Sequence, residues 1–365
     1  MQTGRLNVLI DGAWGSCGKG KAAAYLTLKH GVNVSICSNP TNAGHTVVMG
    51  EKKFVLQQLP SACVFPEVEL LIDPGATITV KKILEEIETY KAQNRLTIHP
   101  NASIVTEAGV EYERENLARI SSTLKGVGAA LGMKVMRHPE AKLVRDVPEL
   151  KPFIGDTTEK LHRFLKAGAM VLAEGAQGFD LSLNHGMSYP YVTSRDVTTA
   201  SVLSNAGVPP SLVGDVYGCI RTFPIRVGHQ FDSSGNKIGD SGPHYPDQIE
   251  LTWDEVKWRS GSNKDLLERT TVTNKVRRVF TFSKTQFVRF LTICGPTHIF
   301  VNFANHITAG DSGVRTWSEL SEETRSFVQM INDTCDEFSH ASSGIQKARV
   351  RLIGTGAEMS EMVEV

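Results

Sequence analysis

The sequence lacks the features that would place it against a large charged partner or in an oxidising compartment. Its six cysteines, at 17, 37, 63, 219, 294 and 335, contain no Cys-x-x-Cys pair and no zinc-ligand spacing. They read as buried or incidental thiols in a reducing cytosol. There is no excess of either charge sign: 39 Lys+Arg balance 39 Asp+Glu. That removes the electrostatic case for a nucleic-acid duplex or an anionic membrane as partner, and makes any phosphate binding a local matter. No apolar run is long enough to span a bilayer. Residues 1–10 do not read as a signal peptide, because their short apolar stretch leads straight into a glycine-rich loop. The expected location is cytoplasmic. No repeat or low-complexity tract appears. What is present is 365 residues, 41% of them hydrophobic, enough for a sizeable core. Large α/β enzymes of this length can be one domain, and 1–365 is read as a single catalytic domain.

Short β-branched runs alternate with helical patterns. LNVLI (6–10) and VNVSIC (32–37) flank the helix candidate KGKAAAYLTLKH. In VKKILEEIETYK, Val80, Ile83, Leu84, Ile87 and Tyr90 share one face at helical spacing. Asp156 and Glu159 read as a capping box for EKLHRFLKAG, which Gly168 ends. MVLAEG (170–175) reads as a strand entering a loop. Thr316 and Glu319 are expected to cap a helix carrying Leu320, Phe327, Ile331 and Phe338 inward. Residues 229–265, poor in periodic apolar residues, read as a surface excursion on the substrate side. Strands alternating with helices predict an α/β fold with a mostly parallel sheet covered on both faces. Ligands in such folds bind beyond the carboxyl ends of the strands.

Chemistry concentrates in four loops. The first, 11-DGAWGSCGKGK-21, has glycines at 12, 15, 18 and 20 and lysines at 19 and 21 at the start of a helix. Backbone amides and the helix dipole make that an anion site, although a plain glycine turn has the same letters. The Ser/Thr that follows Gly-Lys in the common phosphate loop and holds magnesium is missing. The second, 42-NAGHT-46, sets His45 at a strand's carboxyl end, where a catalytic role weighs evenly against a structural one. The third, 174-EGAQG-178, offers Gln177 as donor and acceptor to a purine edge. The fourth, 189-YPYVTSRD-196, offers the hydroxyls of Thr193 and Ser194. Structural turns explain either of the last two alone.

In this order, WG-x-x-GKGK, NAGHT, EGAQG and YPYVTS resemble the adenylosuccinate synthetase family. The stretches 220-IRTFPIRVG-228, 271-TVTNKVRR-278 and 353-IGTGAE-358 extend the resemblance over most of the chain. The modest length and the wording 177-QGFDLSL-183 are nearer the archaeal branch than the bacterial one. The resemblance implies a P-loop-like α/β fold with a large, mostly parallel central sheet covered by helices. It implies a C–N ligase: a nucleoside triphosphate, usually GTP, phosphorylates O6 of a 6-oxopurine nucleotide. The amine of L-aspartate then displaces that phosphate, with Mg2+ bridging the phosphates. Residue by residue, His45 matches the histidine that stabilises the phosphoryl group, and Gly44 the carbonyl that ligates magnesium. Lys19 belongs with the catalytic set. Asn42 and Gln177 match contacts to the purine nucleotide. Ser122 and Thr123 stand at the family's Thr-Thr pair, and Thr123 and Thr193 match hydroxyls on the substrate phosphate. Arg137 matches an arginine reaching that phosphate from the partner subunit, which implies a homodimer. Val227 matches a backbone contact near the ribose. Thr273, Lys275 and Arg277 fall in the aspartate loop, with Arg277 the carboxylate anchor. Asn274, Lys275 and Val276 depart there from the family's run of arginines. The triphosphate is expected on Gly15, Cys17, Gly18, Lys19, Gly20 and Lys21, with Thr355 and Gly356 flanking its base.

Two departures point to altered substrates. Where the family loop reads Trp-Gly-Asp-Glu, this chain has Ser16 and Cys17. The family's aspartate removes the purine N1 proton and binds magnesium. A serine hydroxyl is a poor base, but it is small and neutral and can accept a hydrogen bond from a 2-amino group. The replacement resembles a phage branch, the 2-aminoadenylosuccinate synthetases, which act on dGMP and lead to diaminopurine DNA. Asp11 stands as a substitute metal ligand or base, or as a turn-forming residue. Where the family reads guanine with Thr-Lys-Leu-Asp, this chain has 302-NFAN-305. Asn305 can donate and accept as adenine requires, and Phe303 can stack on a base or pack in the core. ATP or dATP is therefore the expected donor. Three readings stay open: a ligase on dGMP, a conventional synthetase on IMP, and a nucleotide-binding regulator without ligase activity.

Overall fold

The structure is a computed structural model that describes residues 1–270, 275–341 and 347–365. The run LNVLID forms β1 (Leu6–Asp11), with all six residues buried. Leu9 joins the core on one face of the sheet, while Leu6, Val8 and Ile10 join the core on the other. A strand buried at every position, and apolar except at Asn7 and Asp11, requires cover on both faces, which is the signature of a central parallel strand. Eight further strands complete the sheet: β2 (Val34–Cys37), β3 (Glu69–Ile72), β4 (Leu96–Ile98), β5 (Val171–Glu174), β6 (Val213–Arg221), β7 (His298–Asn302), β8 (Arg349–Gly354) and β9 (Met362–Glu364). Their order across the sheet is β9-β8-β7-β6-β1-β5-β2-β3-β4. All neighbours are parallel except β9, which runs antiparallel to β8. The carboxyl ends of β1, β2, β5, β6, β7 and β8 therefore open to one side, and the glycine loop, the Gln177 loop, and the turns at Thr222, Phe303 and Thr355 all leave from these ends.

The first helix, α1 (Lys19–His30), follows β1 through the glycine loop and buries Ala22, Ala23, Ala24 and Leu26. Its small residues let it lie close to the hairpin His45–Met49/Lys52–Leu56. A Cβ on Gly20 would stand 2.8 Å from the Thr46 carbonyl oxygen. The helix expected after residue 79 spans Val80–Thr89, with Ile83 and Ile87 buried. Asp156 accepts a hydrogen bond from the Glu159 amide, as the capping signal implied, and the helix spans Thr157–Lys166.

Two sequence expectations are revised. Thr316 and Glu319 do not cap the long helix, which spans Glu322–Ala341. The Thr316 hydroxyl donates to the Glu319 carboxylate within a short turn, Trp317–Glu319. The helix starts instead at Ser321, whose amide and hydroxyl both donate to the buried Asp311 carboxylate. Ser321 itself is the cap, its hydroxyl accepting from the Thr324 amide at 3.2 Å while Asp311 holds it from ten residues upstream. The excursion at 229–265 is also more ordered than its composition suggested. Gln230–Phe231 pairs with Lys237–Gly239, and Glu250–Leu251 joins Ile225–Arg226 and Arg278–Phe280 in a small antiparallel sheet. Thr252 and Glu255 form a capping box for the helix Trp253–Ser260, which buries Trp253 and Val256.

Candidate active site

The loop between β1 and α1 is built around Asp11. This fully buried carboxylate accepts from the amides of Ala13 (3.0 Å), Gly15 (3.1 Å) and Cys17 (3.0 Å). It also faces the Cys17 thiol at 3.1 Å and the Lys19 ammonium at 3.0 Å. Burial first, then the neighbouring carboxylate, holds the Cys17 thiol well above the ordinary thiol range. Of the readings open for Asp11, these contacts describe the turn-forming one. Lys19 also donates to the Gln177 carbonyl at 2.9 Å, which ties the glycine loop to the loop after β5. Lys21 donates to the carbonyls of Gly356 (2.7 Å) and Glu361 (2.6 Å), and burial lowers its pKa to about 8. Gly18 caps α1 with φ 85°, and a Cβ there would stand 1.8 Å from Asn302 Nδ2. Only glycine combines that left-handed backbone with that approach.

His45 starts its hairpin strand and is buried beside this loop. Burial, and then the Lys19 charge, pull its pKa down to about 3, so the imidazole is neutral over the ordinary range. Glu174, at the end of β5, is equally buried, but its carboxylate accepts from the Ser35 hydroxyl (3.1 Å) and the Ser61 amide (3.0 Å). It joins the loop scaffold, and the EGAQG stretch gives up only Gln177 to the pocket.

Beside these loops lies a pocket of about 270 Å³. Asn42, Ser122, Thr123, Gln177, Thr193 and Val227, expected around one nucleotide, all line it. Gln177 Nε2 donates to Asn42 Oδ1 (3.2 Å), and Asn42 Nδ2 donates to Thr123 Oγ1 (3.0 Å). Residues from three distant loops thus form one hydrogen-bonded wall. The Thr193 amide is fixed to the Leu181 carbonyl at 2.7 Å. Two expected members are not in the lining. Ser16 stands in the adjoining loop with φ 59°, and its carbonyl accepts from Arg221 at 3.0 Å. Arg137 is exposed at the end of the helix Val127–Val135. Sequence reasoning passed over other lining residues. The Arg226 guanidinium sits 4.8 Å from the Trp14 ring centroid and donates to the carbonyls of Pro243 (3.0 Å) and Tyr191 (3.2 Å). Burial lowers its pKa to about 10. The signal for it was present, since Arg226 lies inside 220-IRTFPIRVG-228. Glu113 is the one carboxylate among the described lining residues, and it accepts from the amides of Gly126 (2.8 Å) and Gly128 (2.7 Å). A carboxylate at a helix N-terminus carried no local signal.

In the loop expected to hold aspartate, Thr273 and Asn274 lie outside the described residues. Lys275 and Arg277 return along a hairpin arm: the Lys275 amide donates to Thr270 Oγ1 (2.9 Å) and the Arg277 amide to the Glu268 carbonyl (3.0 Å). In the stretch expected to read the donor base, Phe303 has φ 64° and presents its ring to the Arg221 guanidinium at 4.0 Å. The His306 ring lies against the same residue, with centroids 5.1 Å apart. Asn305 is half-buried in the turn Ala304–His306. Thr355 turns its hydroxyl to the Val314 carbonyl at 2.7 Å. It supports this end of the site through the fold.

These loops, arranged on such a sheet, have known counterparts. The family model described as adenylosuccinate synthetase matches residues 8–147 and 139–242. The N6-succino-2-amino-2'-deoxyadenylate synthase of Vibrio phage phiVC8 is 38% identical over 315 residues, covering 83% of this chain and 87% of that protein. The adenylosuccinate synthetase of Pyrococcus horikoshii is 31% identical over 364 residues, covering 98% and 97%. Among solved structures, the cyanophage S-2L succinoaminodeoxyadenylate synthetase bound to dGMP and dATP superposes with a TM-score of 0.81 at 30% identity, covering 99% of this chain and 95% of that one. This chain belongs to the adenylosuccinate synthetase family. The resemblance read from its four loops and the α/β fold it implied are both borne out.

The magnesium that the family resemblance implies has few candidate ligands among the described residues. Among the described residues no group of three or more His, Cys, Asp or Glu side chains gathers to hold a metal. The oxygens left are the carbonyl of exposed Gly44 and the hydroxyl of half-buried Ser16, both neutral, since the Asp11 carboxylate is engaged by the loop. Neutral oxygens suit magnesium only where substrate phosphates supply the charge and several ligands, which is its usual manner of binding in phosphoryl-transfer sites. Among the described residues, no helix is long and apolar enough to cross a membrane.

Proposed function

We propose that this chain joins L-aspartate to C6 of dGMP at the expense of ATP or dATP, giving 2-amino-2'-deoxy-N6-succinyladenylate on the way to a diaminopurine nucleotide. The observation that carries this reading is Ser16, a small neutral residue in the loop where the family has an acid. It leaves room and a hydrogen-bond acceptor for a 2-amino group. The phage relatives are named for that product, and the cyanophage structure for those two nucleotides. Asn42 and Gln177, linked to each other and to Thr123, orient the nucleotide in the pocket, and Thr123 and Thr193 receive its phosphate. Lys19 and the amides at the α1 N-terminus hold the triphosphate. Gly44 and Ser16 are the residues that would contribute to holding magnesium, which would supply positive charge to neutralise the phosphates. O6 takes the terminal phosphoryl group, leaving a diphosphate. The aspartate amine then attacks C6 and inorganic phosphate departs with O6. His45 is kept neutral by burial until phosphoryl charge arrives, which favours a proton on the ring at that moment. Arg277 anchors the aspartate carboxylate. Arg137, exposed and outside its own pocket, serves the pocket of a second copy.

The test is a product assay by mass. Protein, Mg2+, aspartate and ATP are mixed with equal dGMP and IMP. A succinylated product from dGMP, with little from IMP, is the expected result. Product from IMP alone returns the chain to conventional adenylosuccinate synthesis. No product from either, with GTP and dATP also tried, leaves a nucleotide binder.

A further inference from the structure

Arg221, the last residue of β6, is absorbed by none of the roles above. Its side chain is fully buried. The guanidinium nevertheless reaches three separate parts of the site. Nη1 donates to the Ser16 carbonyl at 3.0 Å. Both terminal nitrogens meet the Glu268 carboxylate, Nη1 at 3.3 Å and Nη2 closer. The plane lies 4.0 Å from the Phe303 ring centroid. Nε has no partner among the described residues.

Glu268 is the second link. Its side chain is 24% exposed against 0% for Arg221. Its backbone carbonyl receives the Arg277 amide at 3.0 Å, and the Trp253 indole donates to the Arg277 carbonyl at 2.8 Å. Among the described residues, Arg221 is thus the point where the glycine loop, the arm carrying Arg277 and the Phe303 turn meet. A buried guanidinium is costly unless its charge is matched, and Glu268 is the acid that matches it. The pair can therefore hold its two elements only in one relative placement, since sliding either would strip the charge of its partner.

We infer that Arg221 is a positioning residue: through Glu268 it sets the arm that presents Arg277, and through the Ser16 carbonyl it sets the same arm's distance from the glycine loop. The inference rests on the reading above for its kinetic consequence, not for its structural one. Arg221 touches no reacting atom in this assignment. Its effect falls on how aspartate is received, not on phosphoryl transfer to O6.

The test compares Glu268→Gln, Arg221→Lys, Arg221→Met and the double variant Arg221→Met/Glu268→Gln, each checked for native circular dichroism. Glu268→Gln keeps shape and partial exposure, so it serves where Arg221→Met fails to fold. Glu268→Gln is expected to raise the aspartate KM by about tenfold with the dGMP KM changed less than about twofold. Arg221→Met is expected to raise both, and the double variant to add little to it, because one interaction is lost once. Arg221→Lys is expected to recover part of the loss. Independently of any substrate, hydrogen exchange at the Arg277 and Lys275 amides is expected to speed up in Glu268→Gln while the His45–Leu56 hairpin is unchanged. An unchanged aspartate KM together with unchanged exchange overturns the inference, as does full additivity in the double variant. If the unaltered chain forms no product, the functional reading fails alone, and the exchange result still decides the role of Arg221.

Discussion

At the scale of single residues, the proposed reading places phosphoryl stabilisation on His45 and substrate choice on Ser16. His45→Ala is expected to lower turnover by at least about a hundredfold, as loss of a group aimed at developing charge does, with nucleotide binding nearly intact in calorimetry. His45 also has a signature on stability. Its folded pKa of about 3 lies below the ordinary 6.5, so the unfolded chain binds more protons between those values. Its contribution is full above pH 6.5 and is lost as pH falls toward 3. His45→Gln, which cannot titrate, is expected to lose about 2 kcal/mol less stability than the unaltered chain between pH 7 and pH 5, by urea titration at each pH. Ser16→Asp restores the family's acid. It is expected to shift the dGMP-to-IMP ratio of kcat/KM toward IMP by about tenfold or more, and an unmoved ratio removes Ser16 as selector.

At the scale of elements, the long C-terminal helix shows how a start signal can mislead. Thr316 and Glu319 have capping-box spacing, but they close a separate short turn. The working cap is Ser321, which accepts from the Thr324 amide at 3.2 Å, and Asp311 secures it by holding the Ser321 amide at 2.8 Å and the Ser321 and Thr324 hydroxyls. Asp311→Ala leaves buried donors unpaired and is expected to cost about 2 kcal/mol. Thr316→Ala, on an exposed turn, is expected to cost less than about 0.5 kcal/mol. Thermal or urea melts of the two variants decide between the caps, and turnover at low temperature should be spared in both. The excursion at 229–265 makes a related point. Its letters are polar, yet Trp253 and Val256 are buried and its Glu250–Leu251 strand pairs with Arg278–Phe280. Short strands paired at long range leave no periodicity to detect.

At the scale of the whole molecule, the sheet order converts scattered motifs into one site. β1 lies between β5 and β6, so the loops at 12–18, at 175–178 and after Arg221 open side by side. Arg137 stands apart from this convergence, exposed at the far end of its helix. A second copy supplying it is directly testable. Mixing inactive His45→Ala and Arg137→Ala subunits is expected to restore about a quarter of full activity, because a mixed C2 dimer holds one site with neither defect. No recovery after subunit exchange, verified by mass, would place Arg137 outside the pocket of either copy.

The sequence by itself determined the fold class, the family and the loops that matter. These rest on local information: short, mostly apolar strand runs, glycines needed for a tight anion loop, and ordered motifs at strand ends. It also exposed Ser16, because a single substitution inside a rigid loop is legible letter by letter. Only the tertiary structure decided what each polar group does. Asp11 stands as base, metal ligand or turn former when read alone, and became the centre of the loop because three amides and Lys19 converge on it. Glu113, Arg221 and Arg226 had no assignable partner along the chain. Their partners lie on other elements, and a buried charge acquires its role from the groups that compensate it, wherever in the sequence they come from.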